Sequence, residues 1–95
     1  MTHYVALVEE EEGKAFGVWF PDLPGCVSAG DTLDDAMANA SEALTLWMQV
    51  ARERGLSCPP ARSLTELRRD DAVAEELRQY MVALIPLDPR ALAAA

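Results

Sequence analysis

Sixteen carboxylates in 95 residues, against eight lysines and arginines and a lone histidine, are the richest source of chemistry in this chain. Paired carboxylates can hold magnesium for phosphoryl transfer, and Glu9-Glu10-Glu11-Glu12 is the densest group of them. Four consecutive acids, however, read as a solvated hairpin loop, whereas a metal site needs carboxylates converging from fixed strands. A nucleophile is worse served. His3 sits at the chain start, so Cys26 or a serine would have to fold against it, and Cys26 beside Gly25 reads as a small buried strand residue. Cys26 and Cys58 lie too far apart to resemble a zinc motif, and Leu23-Pro24-Gly25 is a turn rather than a phosphate cradle. These residues lead to an expectation of no catalytic site, no metal and no cofactor.

The acids are unevenly placed. Residues 1 to 47 carry nine acids against the single base Lys14, a charge of −8, while the remainder balances seven acids with seven arginines. Such a half repels phosphate, which argues against direct nucleic-acid binding and for a basic protein partner. No stretch approaches the roughly 20 apolar residues of a membrane helix, and the start lacks a basic-then-apolar signal pattern. With two cysteines and no metal spacing, the expectation is a cytoplasmic protein with reduced thiols.

The elements that must position these groups are legible. His3 to Val8 reads as a strand, the glutamate run and Gly13 as a hairpin loop, and Ala15 to Phe20 as a second strand. Phe20-Pro21-Asp22-Leu23-Pro24-Gly25-Cys26 is a stiff corner: two prolines fix φ and Gly25 permits a turn that other residues resist. Cys26 to Ala29 follows as a short third strand. Thr32 then caps a helix, with Asp35 placed to return the bond and Gly55 to stop it. Its apolar stripe runs Leu33, Met37, Ala40, Leu44, Trp47, Ala51. Ser63 to Arg69 and Ala72 to Arg78 read as short helices, and Tyr80 to Leu87 as a strand buried on both faces.

This order predicts an α+β fold: an antiparallel β-β-β meander, a crossover helix, and a fourth strand parallel to strand one. The sheet order would be 3-2-1-4 with helices on one face. That is part of a ribonuclease H-like topology, but the central strands lack the carboxylates its enzymes use. Phe16, Val18 and Phe20 alternate against Trp19. If those three face the helix, Trp19 lies on the open side of the sheet as an interface residue; if the facing is reversed, that argument fails.

The corner, followed by Gly30-Asp31-Thr32-Leu33-Asp34-Asp35-Ala36 and Asn39-Ala40-Ser41-Glu42-Ala43-Leu44, resembles the HicB family of antitoxins. Tyr4-Val5-Ala6-Leu7-Val8-Glu9 and Phe16-Gly17-Val18 fit its opening strands, and the resemblance extends over residues 3 to 88. It implies a partial ribonuclease H-like domain without catalysis that binds and masks HicA, a small basic mRNA-cleaving toxin. Many members add a C-terminal DNA-binding module. Here the expected organisation is a HicB-like domain over 1–88 and a short tail over 89–95, with no such module. Expected toxin contacts are Glu9, Glu10, Glu11, Glu12, Trp19 and Asp22. The short edge strand and Trp19 predict a homo-oligomer, a dimer or tetramer. Two other readings stand beside this one: a solitary HicB-like oligomeric module without a toxin, and a divergent carboxylate–metal nuclease.

Overall fold

A computed structural model describes residues 2–88; the expected tail over 89–95 lies outside the described residues. Strand β1 (Thr2–Glu10) pairs with β2 (Phe16–Trp19), and β2 with β3 (Val27–Gly30), each antiparallel. The long helix α1 (Leu33–Glu53) follows, then α2 (Leu64–Arg68), α3 (Asp71–Gln79) and strand β4 (Met81–Leu87). The sheet order is β3-β2-β1-β4, as the sequence predicts.

The direction of β4 differs from expectation. It runs antiparallel to β1, with Tyr4 opposite Ile85 and Val8 opposite Met81, so the parallel strand of a ribonuclease H-like sheet is not present. The reason lies between α1 and β4. Helix α1 starts beside the hairpin end of the sheet and returns the chain to the opposite end, from which a direct entry would be parallel. Instead, α2 and α3 carry the chain back up the sheet, so β4 enters at Val8 and runs down.

Those two helices also overturn the expectation of helices on one face. Tyr4, Ala6, Val8, Val18 and Phe20 turn toward α1 and meet Ala36, Ala40, Leu44 and Met48. The alternate residue Val5 packs with Leu67 of α2 and Val73 of α3 in a second, smaller core. The sheet is therefore the middle of three layers, which is how 87 described residues bury both faces of β1.

Local chemistry fixes the boundaries. The Thr32 hydroxyl oxygen accepts from the Asp35 N–H at 3.0 Å, with Asp34 and Asp35 at the positive end of the helix dipole. At the other end Gly55 takes φ +68°, and the N–H groups of Gly55 and Leu56 reach Arg52 and Ala51 carbonyls, closing a Schellman motif. The buried stripe of α1 is Ala36, Ala40, Leu44, Met48 and Ala51. It is rotated from the expected one: Leu33 is exposed and Trp47 only packs against the core margin, while Met48 takes the central place. Strand β4 is not buried on both faces either. It is an edge strand, and Leu84 and Met81 are 60% and 48% exposed.

Candidate functional site

The register of the sheet gathers the acids at one end. Glu10 lies opposite Phe16, and Phe16 opposite Gly30, so the β1–β2 loop and the start of α1 share an end of the domain. Glu9, Glu10, Glu11 and Glu12 share that end with Asp31, Asp34 and Asp35, and Lys14 pairs with Glu11 at 3.6 Å. The glutamates are all exposed. Arg52 and Arg54 stand at the far end of α1, so this helix carries acids at its start and arginines at its end. The acidic end of the domain attracts a basic surface and repels phosphate.

Trp19 lies on the face away from α1, as the alternation of β2 allowed, but this face is not open at that point. Its indole N–H donates to Glu76 Oε2 at 3.0 Å, and its ring meets Tyr80 edge-on at a 4.9 Å centroid separation. The residue is half-buried, one flank against α3 and one flank toward solvent. Glu76 and Tyr80 were not among the expected site residues. Nothing local in the sequence signals that Glu76 would meet a residue 57 positions away.

Asp22 occupies a different environment from the hairpin glutamates. Leu23 N–H bonds to the Phe20 carbonyl and Cys26 N–H to the Leu23 carbonyl, making two consecutive turns with Pro21 and Pro24 in their second positions. Gly25, at φ +87°, supplies the positive φ that the second turn demands. The first turn points the Asp22 carboxylate inward, where its side chain is 4% exposed. It accepts from the Arg62 backbone N–H at 2.8 Å and from Arg62 Nε at 2.6 Å. Arg62 Nη1 continues to Asp70 at 2.9 Å. The carboxylate expected as a contact is thus engaged in holding the 59–70 segment, and with it α2 and α3, against the corner. The Tyr4 hydroxyl adds a bond to the Pro59 carbonyl at 2.6 Å; burial first, then nearby Cys58 and Asp22, pushes its pKa up. Burial likewise raises the thiol of Cys26, which closes the corner just before β3 as an inert core residue, and both cysteines are free.

The tether has a pH signature. Asp70 is held below its ordinary 3.8, first by the bond from Arg62 and then by the Ala72 N–H. Glu66, which closes a capping box with Ser63, is held below 4.5 by the Ser63 backbone N–H and then its hydroxyl. Folded-state depression means the stabilisation is complete above those ordinary values and is lost as pH falls through the lower folded ones. Thermal melts are therefore expected to be flat from pH 7 to about 5 and to decline below about 4.5. Asp70→Asn should flatten part of that decline; an unchanged acid limb would refute the assignment.

Among the described residues, no three His, Cys, Asp or Glu side chains come together as a metal site, and no helix is long and apolar enough to cross a membrane. Comparison with known proteins decides what this scaffold is. The model of the HicB-like antitoxins of bacterial toxin–antitoxin systems matches residues 4–95. The chain belongs to the HicB-like antitoxin family. Over its full length it superposes on the crystal structure of the Burkholderia pseudomallei antitoxin HicB with a TM-score of 0.81 and 28% identity, covering 70% of that chain. It also matches a chain of the HicA3 and HicB3 toxin–antitoxin complex (TM-score 0.73, 26% identity, 93% of this chain and 100% of that one). An uncharacterised 14.9 kDa protein of Haemophilus phage HP1 is 30% identical over 79 residues, 83% of this chain and 56% of that protein. A UPF0150 protein of Synechocystis sp. is 36% identical over 47 residues, 50% of this chain and 60% of that protein. The HicB-like chain thus spans little more than half the length of these two relatives.

Proposed function

We propose that this chain is the toxin-binding part of an antitoxin and neutralises a basic, mRNA-cleaving HicA-type toxin by covering it. The observation that carries the reading is the match, over nearly its whole length, to a chain from a HicA3–HicB3 complex. The acidic end agrees with it, since a toxin that grips RNA presents positive charge, and carboxylates there compete with phosphate. Glu9, Glu10, Glu11 and Glu12 supply the attraction and the solvent-facing flank of Trp19 supplies apolar contact. Asp22 acts behind them by holding α2 and α3. The role is non-enzymatic, and an mRNA-cleaving partner places it in the cytoplasm. The chain works as a homo-oligomer, a dimer or tetramer; β3 is an edge strand, and its own Val27 (64% exposed) shares a surface groove with Leu46 of α1 (61%).

The charge reading is tested by association kinetics with a purified HicA-type toxin. Replacing Glu9, Glu10, Glu11 and Glu12 with glutamine is expected to slow association by about tenfold or more at low salt, with the difference shrinking as salt rises. Equal rates for both proteins at low salt would remove the hairpin from the interface. Light scattering of the chain alone in the same preparation reads the oligomer, and a monomer at micromolar concentration would contradict that part.

A further inference from the structure

Helix α3 covers only part of its face of the sheet. Between its C-terminal turn and the β1–β2–β3 strands lies an open trough of about 750 Å³. Gly17 forms its floor without a side chain, and nothing lies within 4 Å of where a Cβ would stand. Trp19 and Tyr80 form one wall. Glu76, bonded to the Trp19 indole, and Glu75 line the α3 side with them, and Glu9, on the same face as Leu7 and Trp19 by register, closes the other side.

We propose that this trough receives an arginine or lysine side chain from a basic protein partner, seated over Gly17 with Glu9 on one side and Trp19 with its bonded Glu76 on the other. Every charged residue lining it is acidic. Glu75 already accepts from Arg78 and from Gln79, each at 3.1 Å, which leaves Glu9 and Glu76 to set the charge. Glu76 gives Oε2 to the indole and keeps Oε1 to accept a further donor. A carboxylate pair with an aromatic wall is the environment a guanidinium or ammonium group selects, through charge-assisted hydrogen bonds and attraction to the ring. A bare metal ion fits poorly, since the described residues bring no three ligands together. The identity of the partner as a basic toxin rests on the proposed function; the preference for a cationic side chain rests on the trough.

The test is an NMR titration of the full chain with an acetylated, amidated tri-arginine peptide. Saturable shifts are expected at the Gly17 amide and the Trp19 indole N–H. Gly17→Val fills the floor with a residue suited to a strand and should weaken binding at least about fivefold. Glu76→Gln keeps an acceptor for the indole and removes the charge, with a similar loss. Glu42→Gln, which removes the same charge from exposed α1, should leave binding unchanged. Shifts spread evenly over Glu9 to Glu12, Asp34 and Asp35 and indifferent to Gly17→Val would overturn the proposal. So would shifts at Gly17 and Trp19 that follow protein concentration without peptide, marking a second copy as the occupant. Peptide binding in the trough without inhibition of a HicA-type toxin would count against the toxin reading alone; inhibition without trough binding would count against the trough alone.

Discussion

Asp22→Ala is expected to destabilise the fold by about 2–3 kcal/mol, which for a domain of this size lowers the melting temperature by roughly 10–20 °C. The substitution removes the acceptor of both the Arg62 backbone N–H and its Nε, at 2.8 and 2.6 Å. Breaking a fully buried pair costs about 3–5 kcal/mol, because the remaining charge is left without a partner. Here the loss is smaller: the Arg62 side chain is 34% exposed and retains Asp70. Arg62→Ala should do at least as much damage, since it removes the arginine countercharge of a carboxylate that water scarcely reaches and leaves it the backbone N–H. Denaturant melts of both single variants and the double variant check this. The double variant should be clearly less destabilised than the sum of the singles, and strict additivity would show that the two groups are not coupled. The consequence for function is indirect but specific. Loosening the 59–70 segment frees α3 to shift, and α3 carries Glu76 and Tyr80 against Trp19.

Gly30→Ala is expected to cost about 3 kcal/mol or more, at the upper end of what overpacking does. A Cβ at this position would stand 2.7 Å from the Asp35 carbonyl carbon and still press on the Ala36 backbone. Flexible side chains could yield to such a methyl group; the first turn of α1 cannot, because it is tied by the Thr32 cap. Strand β3 and α1 would have to separate at the acidic end, and the Asn39 side-chain bond to the Ala29 carbonyl at 2.8 Å would be lost with them. Gly17→Ala is the internal comparison, since its new methyl group meets open space, and it should alter stability by less than about 1 kcal/mol. Thermal melts of the pair give the answer directly. Similar melting temperatures would mean that α1 does not approach β3 as closely as described.

The sequence carries the elements well because their signals are local. Thr32, Gly55, the Ser63–Glu66 pair and the double-proline corner each act within a few residues, and the structure uses each of them. The order of β1, β2 and β3 was legible for the same reason, through short connections; β4 does lie beside β1, but the parallel crossover expected to place it there is absent. The rotation of α1 was not. Trp47 and Met48 both continue a three-and-four spacing, and only close packing against Val18 and Phe20 selects the methionine for the centre. The direction of β4 depended on where α2 and α3 dock, and that docking is set by Leu67 and Val73 reaching Val5, a long-range choice with no local mark. Of the expected contact residues, the hairpin glutamates lie exposed at one end. Trp19 is half-covered by α3, and Asp22 is turned inward to Arg62, 40 residues away. A lone aspartate between two prolines reads the same from sequence whether it points outward to a partner or inward to an arginine.

If this chain silences a toxin by binding it, RNA cleavage by that toxin is the readout. A HicA-type toxin encoded beside the gene for this chain, incubated with RNA and increasing amounts of the purified protein, should lose its activity as the two approach equal amounts. Cleavage that continues undiminished at several-fold excess of this chain would contradict the account.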